Sequence, residues 1–332
     1  MYSILKELTA VASPSGHERA LCEYISSVIS PYVDDVRFDA MGNLIAFKKG
    51  TKKNAKKLML AAHCDELGLM VTYITDDGFI VTAPIGGVRY DALAYTNVVF
   101  PSKTKGVIIA KAKAGSGEWN SENLVVDIGC STRAEAEKFV TVGDVAIYEP
   151  KITRLSHSHI AGHAIDDKIG CVILIKAILD KAECVNDTYF VFTVQEEVGL
   201  RGSATAAYGI APDWGIALDV CSTGDIPDSR PMNVKLGGGA AIKVKDSSVI
   251  CDRLVVEKLI ELAKGGNIRY QLEILEHGGT DTASIQKAGN GAMVGGISIP
   301  TRYIHTPSES IDMKDVSSCL ELTKAMLACE IK

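Results

Sequence analysis

Histidines and carboxylates occur at several separate places in this 332-residue chain, each beside an apolar run: His63 and Asp65, Asp166 and Asp167, Glu196 and Glu197, Asp219, and His305. In an open α/β sheet, functional sites form just beyond the carboxyl ends of the strands, so side chains from distant segments can converge there. Two imidazoles with several carboxylates can hold two divalent cations and still leave one carboxylate to act as a base. The pattern therefore predicts a hydrolase with a dinuclear metal centre.

The Glu196-Glu197 doublet carries the sharpest of these signals. Two adjacent carboxylates at the end of an apolar strand repel each other and lose hydration unless a positive charge lies beside them. Neighbouring residues point in different directions, so one glutamate can bind a metal while the other accepts a proton from water. A solvated loop is the alternative, and the glycines within residues 198–202 disfavour it because they indicate a tight turn.

The motif His63-Cys64-Asp65 follows the apolar segment 58–62. His63 and Asp65 are two residues apart and share a face if the strand continues, while Cys64 points away. That geometry suits a metal-bound imidazole whose second nitrogen lies near a carboxylate, although a core histidine paired with an aspartate has the same pattern. Because the candidate ligands offer nitrogen and oxygen, the sequence favours zinc, cobalt or manganese over a cysteine-rich structural zinc.

Three further motifs leave their roles open. His157 and His159, together with His163, form either a separate metal cluster or a polar connector between modules. The glycines at 237–239 do not match a dinucleotide-binding loop. His277-Gly-Gly-Thr-Asp281 precedes a predicted helix, where it either orients substrate or simply caps that helix. The chain has no Gly-x-Ser-x-Gly elbow that would support a serine nucleophile.

The composition is that of a globular protein without a footprint for nucleic acid or membrane. Hydrophobic residues make up 47% of the chain, charged residues 23%, and the formal net charge is −6, which offers no positive surface for either partner. The first residues carry charges where a signal peptide requires an unbroken apolar stretch, and no run reaches the roughly 18–20 apolar residues of a membrane span. The nine cysteines form no C-x-x-C pair and predict buried thiols in the reducing cytoplasm.

The texture of the sequence changes twice along the chain. A helix predicted to begin with a capping box at Ser15 and Glu18 is followed by strands, and the lysine-rich segment 48–57 predicts a solvated hairpin loop. Short β-rich pieces separated by turn residues then fill residues 68–159, and strands alternate with helices afterwards. We therefore predict an α/β/α sandwich catalytic domain with a mixed sheet, formed by residues 1–67 and 160–332. A small, barrel-like β-rich domain, residues 68–159, is inserted into it.

Taken in order, these segments resemble the dinuclear metallo-aminopeptidases that include the glutamyl aminopeptidases, the deblocking aminopeptidases and the tetrahedral (TET) peptidases. The resemblance covers nearly the whole chain and rests on these motifs: Ser13-Pro-Ser-Gly-His-Glu18, Ala62-His-Cys-Asp-Glu-Leu-Gly-Leu-Met-Val71, Asp127-Ile-Gly, Val142-Gly-Asp144, Asp166-Asp-Lys-Ile-Gly170, Gln195-Glu-Glu-Val-Gly-Leu-Arg-Gly202, Ala217-Leu-Asp-Val220, His277-Gly-Gly-Thr-Asp-Thr282 and Ile304-His-Thr-Pro-Ser-Glu309. Each motif is modest alone, but their order and spacing together are specific to this family.

The resemblance implies five metal ligands: His63 and Asp219 on one ion, Glu197 and His305 on the other, and Asp166 bridging both. Asp166 is preferred to Asp167 because relatives place the bridging carboxylate first, while the residues alone leave this choice open. Glu196 would be the general base that accepts a proton from the bridging water. Asp65 would orient the imidazole of His63.

The resemblance also implies an activity and an assembly. The enzyme would remove N-terminal residues from peptides, and the inserted domain would mediate dimers and larger, often twelve-subunit, shells. Two other activities stay open. The same centre could deacylate small N-acyl compounds, and a glycoside hydrolase would need two carboxylates facing each other across a sugar, about 5–9.5 Å apart.

Overall fold

The computed structural model describes residues 1–111 and 120–331, so residues 112–119 and 332 of the predicted domains lie outside the described part. The helices are α1 (Tyr2–Thr9), α2 (Arg19–Ile29), α3 (Arg133–Ala136), α4 (Ile165–Leu179), α5 (Arg201–Ile210), α6 (Arg253–Gly265), α7 (Thr282–Lys287) and α8 (Met313–Leu327). Within the described ranges, none of these helices has the length and apolar character that crossing a membrane requires.

The strands of the larger sheet are β1 (Asp35–Phe38), β2 (Leu44–Lys48), β3 (Lys57–His63), β10 (Ile152–Arg154), β11 (His159–Gly162), β12 (Asp187–Thr193), β13 (Trp214–Ser222), β14 (Ala240–Lys245), β15 (Tyr270–Ile274), β16 (Met293–Arg302) and β17 (Glu309–Asp312). The strands of the smaller unit are β4 (Gly68–Ile74), β5 (Ile80–Ile85), β6 (Asn97–Val99), β7 (Lys105–Ala110), β8 (Leu124–Asp127) and β9 (Val145–Tyr148).

The larger sheet is mixed, with the spatial order β1-β2-β12-β3-β13-β16-β17-β11-β10 and with β14 and β15 branching from β16. Its centre, β12, β3, β13 and β16, is parallel. These strands are almost entirely buried because they are near-continuous apolar runs, as strands covered on both faces must be. Their parallel direction brings their carboxyl ends to one edge of the sheet, and the candidate site lies at that edge.

Helices cover both faces of the sheet, and two glycines show how closely they approach it. A side-chain carbon added at Gly215 of β13 would meet Ile285 of α7, and one added at Gly295 of β16 would meet Val255 of α6. Gly215 is paired in register with the residue before Gly295, so the two glycines face opposite sides of the sheet. The predicted α/β/α sandwich with a mixed sheet is therefore confirmed.

The smaller unit is a closed barrel with the described strand order β4-β5-β8-β7-β6-β9. It has a hydrophobic core of its own, which includes Leu69, Ile80, Val98, Ile108, Val126 and Ala146. The barrel begins at Gly68, after a short link that follows His63 at the end of β3. Its strands end at Tyr148, and β10 already belongs to the larger sheet, so the exact range 68–159 for an inserted domain stays a prediction.

Two local predictions are wrong, each for a physical reason. The capping box does not form, because α2 begins only at Arg19 and the Ser15 hydroxyl donates instead to Oδ2 of Asp65 at 2.7 Å. The lysine-rich segment 48–57 is not a hairpin loop, because β12 lies between β2 and β3 in the sheet.

Candidate active site

A cavity of about 710 Å³ opens at the carboxyl ends of the central strands. Six of the predicted site residues line it: His63, Asp166, Glu196, Glu197, Asp219 and His305. The seventh, Asp65, is fully buried behind this wall. The fold thus brings together side chains that are up to 242 residues apart in sequence, His63 and His305 being the extremes (305 − 63).

The imidazole of His63 is held between its own backbone turn and two carboxylates. Its Nδ1 is 3.0 Å from the carbonyl oxygen of Asp65, and because a carbonyl only accepts, Nδ1 must donate this hydrogen bond. Nε2 then faces the cavity, 3.0 Å from Oδ1 of Asp166 and 3.8 Å from Oδ1 of Asp219. The Asp65 carboxylate lies farther from Nδ1, at 3.6 Å. His63 therefore presents one nitrogen to the site in a fixed orientation.

His305 mirrors this arrangement from the opposite wall of the cavity. Its Nδ1 donates to the carbonyl oxygen of Gly87, a barrel residue, at 2.9 Å. Its Nε2 is 3.4 Å from Oδ2 of Asp166 and 3.4 Å from Oε2 of Glu197. The two histidines thus approach different oxygens of the same Asp166 carboxylate.

Asp166 and Asp167 are joined by a cis peptide bond and face different partners. The Asp167 carboxylate accepts backbone N–H groups, from His63 at 3.2 Å and from Gly170 at 3.1 Å. Ligand atoms of His63, Asp167 and Asp219 do lie within 4.8 Å of one another, as do those of His63, Asp166 and Glu197. The second group is the better candidate, because both oxygens of Asp167 are already occupied by backbone donors whereas Asp166 faces both imidazoles.

Burial and mutual repulsion shape the charges of the site. Burial raises the pKa of Glu197 to about 7, and the nearby Asp166 raises it as well, against the lowering effect of His305. Burial also raises the pKa of Glu196 and of Asp219 well above the usual range. For His305, burial lowers the pKa, but Asp166 and Glu197 raise it to about 10. Burial and the neighbouring carboxylates therefore disfavour the ionised forms of Glu196, Glu197 and Asp219.

The donor set of the described residues fits two divalent cations. Two ligands bound to one tetrahedral zinc ion at about 2.0–2.1 Å are about 3.3–3.4 Å apart. The separations from His305 to Asp166 and Glu197 match this spacing, and those from His63 to Asp166 and Asp219 bracket it. Cations at these places would also lower the carboxylate pKa values, which burial and, to a smaller extent, mutual repulsion raise.

Asp65 fixes the turn that carries the glutamate doublet. Its carboxylate accepts the backbone N–H of Glu196 at 2.9 Å and of Glu197 at 3.1 Å, and the hydroxyl of Ser15 donates to it at 2.7 Å. The Glu196 carboxylate lines the cavity and has no hydrogen-bond partner among the described residues, so it is available to a proton in the cavity. Sequence reasoning missed the part of Ser15, which it assigned to a helix cap.

Glu309 is a second residue that sequence reasoning did not single out. One of its oxygens accepts the backbone N–H of Asp166 at 3.0 Å, and the other accepts the backbone N–H of His305 at 2.9 Å. Glu309 is 3% exposed, and through these two hydrogen bonds it connects the backbones of two candidate ligands inside the protein. Its position four residues after His305, inside the last motif, was the available signal.

Of the remaining motifs, one forms ion pairs away from the cavity and the other contributes to the cavity wall. His163 pairs with buried Glu66, and His159 lies 3.6 Å from Asp312. No group of three metal-binding side chains among the described residues includes either of them. His277 lines the cavity, whereas Asp281 accepts hydroxyl hydrogen bonds inside the protein and does not cap α7.

The fold and the histidine–carboxylate site are those of a metallopeptidase-type hydrolase. The profile of the M42 glutamyl aminopeptidase family matches residues 42–322, and the chain belongs to this family. The predicted family and the predicted class of enzyme, an aminopeptidase, are confirmed.

Two curated relatives span nearly the whole chain. A protein of Acetivibrio thermocellus with the name "putative aminopeptidase" is 46% identical over 324 residues, which are 97% of each chain. A lysyl aminopeptidase of Pyrococcus furiosus is 33% identical, over 98% of this chain and 96% of its own.

Two solved structures share the fold over 98% of this chain. An aminopeptidase from the archaeon Desulfurococcus kamchatkensis has a TM-score of 0.94 at 36% identity, and 93% of its chain is covered. The Pyrococcus horikoshii TET1 peptidase, which can assemble into a tetrahedron or a large octahedral shell, has a TM-score of 0.85 at 31% identity, with 98% of its chain covered.

Proposed function

We propose that this enzyme removes N-terminal residues from peptides in the cavity at the carboxyl ends of the central strands, with two divalent cations bound there. The observation that carries the proposal is the position of Asp166. Its two carboxylate oxygens lie 3.0 and 3.4 Å from the Nε2 atoms of His63 and His305, as a bridging ligand between two metal sites requires. The cavity volume of about 710 Å³ is within the range of small-molecule and peptide sites.

His63 and Asp219 would hold one cation and Glu197 and His305 the other, with Asp166 shared between them. When bound, the cations polarise the scissile carbonyl and acidify water. Zinc, cobalt and manganese all suit these nitrogen and oxygen donors.

Glu196 is the proposed general base. Its carboxylate accepts a proton from the attacking water and passes it to the leaving amine. Asp65 keeps Glu196 in place through the backbone N–H of Glu196 at 2.9 Å, and it supports His63 mainly through its carbonyl oxygen.

Deacylation of small N-acyl compounds is the nearest alternative, because the same centre could cleave their amide bond. Glycoside hydrolysis has less support. It requires two carboxylates facing each other across a sugar, whereas Asp166, Glu197 and Asp219 lie against imidazoles at 3.0–3.8 Å.

Self-association through the barrel is part of the proposal. The similarity to the shell-forming Pyrococcus horikoshii peptidase supports it. Large apolar side chains are also exposed on this part of the chain, with Tyr95 73%, Val142 65% and Phe139 52% exposed. A cytoplasmic location is proposed as well, and the nine free cysteines support it.

A metal-reconstitution experiment tests the function. The protein is stripped with a chelator, reconstituted with zinc, cobalt or manganese at defined stoichiometry, and assayed on aminoacyl-anilides, N-acetyl amino acids and aryl glycosides. Metal-dependent release of aniline supports the proposal. Cleavage of only the N-acyl or glycoside substrates, or full activity after the metal is removed, contradicts it.

A further inference from the structure

The cavity extends beyond the candidate metal ligands along two parallel strands. In the register of β13 and β16, Asp219 pairs with Ser298 and Ser222 pairs with Thr301. Arg302 is four residues beyond Ser298, and four strand residues span about 13 Å, so Arg302 lies about that far along the sheet from Asp219. A peptide whose terminal amine lies at the centre would direct its first side chain along this wall. This step rests on the proposed function.

The wall contains permanent charge at only two positions besides the centre, among the described residues that line the cavity: Arg89 and Arg302. Each arginine is already paired. Nε and Nη2 of Arg302 donate to the two oxygens of Asp225 at 3.2 and 2.6 Å, and Arg89 makes the same two-pronged contact with Asp91 at 3.2 and 2.5 Å. Such planar contacts fix the guanidinium as well as neutralise it.

The Arg302–Asp225 pair is the better placed of the two, because it is more shielded from solvent. Its side chains are 29% and 26% exposed, against 49% and 57% for the pair at Arg89. The backbone N–H of Leu236 also donates to Asp225, at 3.2 Å. Burial raises the pKa of Asp225, but Arg302 outweighs it and lowers that pKa, so the aspartate stays charged at neutral pH.

The other side chains along this wall carry no permanent charge: they are the apolar Val220, Cys221, Ile226, Leu275 and Ile304, several small hydroxyl side chains, and the polar rings of His277 and Tyr303. A substrate carboxylate entering here would have to compete with Asp225 for Arg302. A substrate ammonium would lose hydration without finding a free carboxylate beyond the centre.

We propose that the cavity selects peptides whose first side chain is neutral, and that Asp225 is the residue that sets this preference by neutralising Arg302. Asp225 acts as a positioning and charge-compensating residue, not as a group that touches the reacting atoms. Removing its charge would free Arg302 to attract an acidic side chain. Removing Arg302 would leave Asp225 to attract a basic one.

The test measures kcat/KM for leucyl-, glutamyl- and lysyl-p-nitroanilide with the metal-reconstituted full chain and three variants, Asp225→Asn, Arg302→Gln and the double variant. Wild type is expected to prefer the leucyl substrate by at least about tenfold. Asp225→Asn should raise glutamyl relative to leucyl cleavage by about tenfold, Arg302→Gln should do the same for lysyl, and the double variant should return to the neutral preference.

Two control variants each break another arginine–carboxylate ion pair. Glu257→Gln removes the exposed Arg253–Glu257 pair, whose atoms are 2.6 Å apart on α6, and should leave all three ratios unchanged. Asp91→Asn frees Arg89. If this variant, and not Asp225→Asn, gains glutamyl cleavage, the assignment to Asp225 is overturned.

If Asp225→Asn fails to fold, Arg302→Gln still tests the ion pair through the lysyl substrate, and the wild-type panel still tests the neutral preference. A wild-type preference for glutamyl or lysyl substrate overturns the inference while leaving the proposed function intact. Failure to cleave any of the three anilides in the presence of each metal instead contradicts the proposed function.

Discussion

His305, at the end of the catalytic sheet, donates a hydrogen bond from Nδ1 to the carbonyl oxygen of Gly87, which belongs to the barrel, at 2.9 Å. This contact leaves Nε2 directed at Asp166 and Glu197. Histidines that bind metals generally donate their second N–H to a fixed acceptor, because that bond sets the tautomer and the ring orientation. One candidate ligand is thus oriented by a part of the chain that lies outside the sheet.

Gly87→Ala should disturb this ligand. A side-chain carbon at Gly87 would lie 2.8 Å from Nδ1 and 2.9 Å from Cε1 of His305, so the imidazole must move. We expect one of two metal ions to bind about 10- to 100-fold more weakly, with a matching loss of activity at limiting metal. Metal content by mass spectrometry and kcat/KM against metal concentration measure this. Gly209→Ala in α5, where the added carbon meets nothing within 4 Å, serves as the control and should bind metal normally.

Glu196→Gln should abolish turnover and retain the metal. The substitution keeps the side chain's shape and the backbone N–H that donates to Asp65, but glutamine cannot accept the proton. A loss of kcat of about 10²- to 10⁴-fold is expected, with both metal ions still bound. Glu23→Gln, at an exposed ion pair on α2, provides the comparison. Retained turnover in Glu196→Gln would rule out the role as general base.

Asp65→Asn should reduce activity more than Ser15→Ala does. Asp65 accepts three hydrogen bonds, from Glu196, Glu197 and Ser15, and an amide group would turn an N–H₂ donor towards one of these donors. Ser15→Ala removes only one hydrogen bond, worth about 1 kcal/mol. Thermal unfolding and kcat of both variants check the order. An Asp65→Asn enzyme with wild-type kcat would show that the turn at Glu196 does not depend on this carboxylate.

Glu66→Gln should destabilise the protein and make its unfolding free energy less dependent on pH in the acidic range. Burial raises the pKa of Glu66, but Lys168 and His163 lower it to about 2, below the ordinary 4.5. The charged form therefore stabilises the fold above pH 4.5, and this contribution is lost as the pH falls towards 2. Because Lys168 is 0% exposed, removing its partner should cost about 3–5 kcal/mol of unfolding free energy.

Urea unfolding of wild type and Glu66→Gln between pH 7 and 3 measures that difference. The difference in unfolding free energy between wild type and Glu66→Gln should become smaller as the pH falls. Glu321→Gln, at an exposed pair on α8, should track wild type throughout. A gap that stays constant with pH would mean that the charge of Glu66 does not provide the stabilisation.

The convergence of the side chains that line the cavity could be predicted from the sequence, because several of them follow recognisable strands. His63 ends an apolar run, and Glu196 follows another, so strand direction alone places them at one edge of the sheet. Asp219 was expected at a strand end, yet β13 continues to Ser222, because this part of the strand is paired with β16. The fold class could be anticipated from the alternation of strands and helices.

The supporting contacts could not be predicted in the same way. Gly87 acts through a backbone carbonyl, which every residue type has, so its side chain gives no signal. Glu309 and Ser15 act on backbone groups or on a buried carboxylate far away in sequence. Local patterns reported Ser15 as a helix cap because they contain no information about a partner 50 residues away.

The link between β3 and β4 also ties the position of the barrel to that of the site. Only a short link separates His63, at the end of β3, from Gly68, at the start of β4, and Gly87 of the barrel accepts a hydrogen bond from His305. The barrel is therefore connected to the catalytic edge at two points, once through the chain and once through this hydrogen bond. A chimaera that took its barrel from another protein would keep a complete catalytic edge only if the incoming loop offered a carbonyl at the place of Gly87. Exchange of the barrel alone is therefore expected to preserve the orientation of His305 only when the incoming loop also lacks a side-chain carbon at that place.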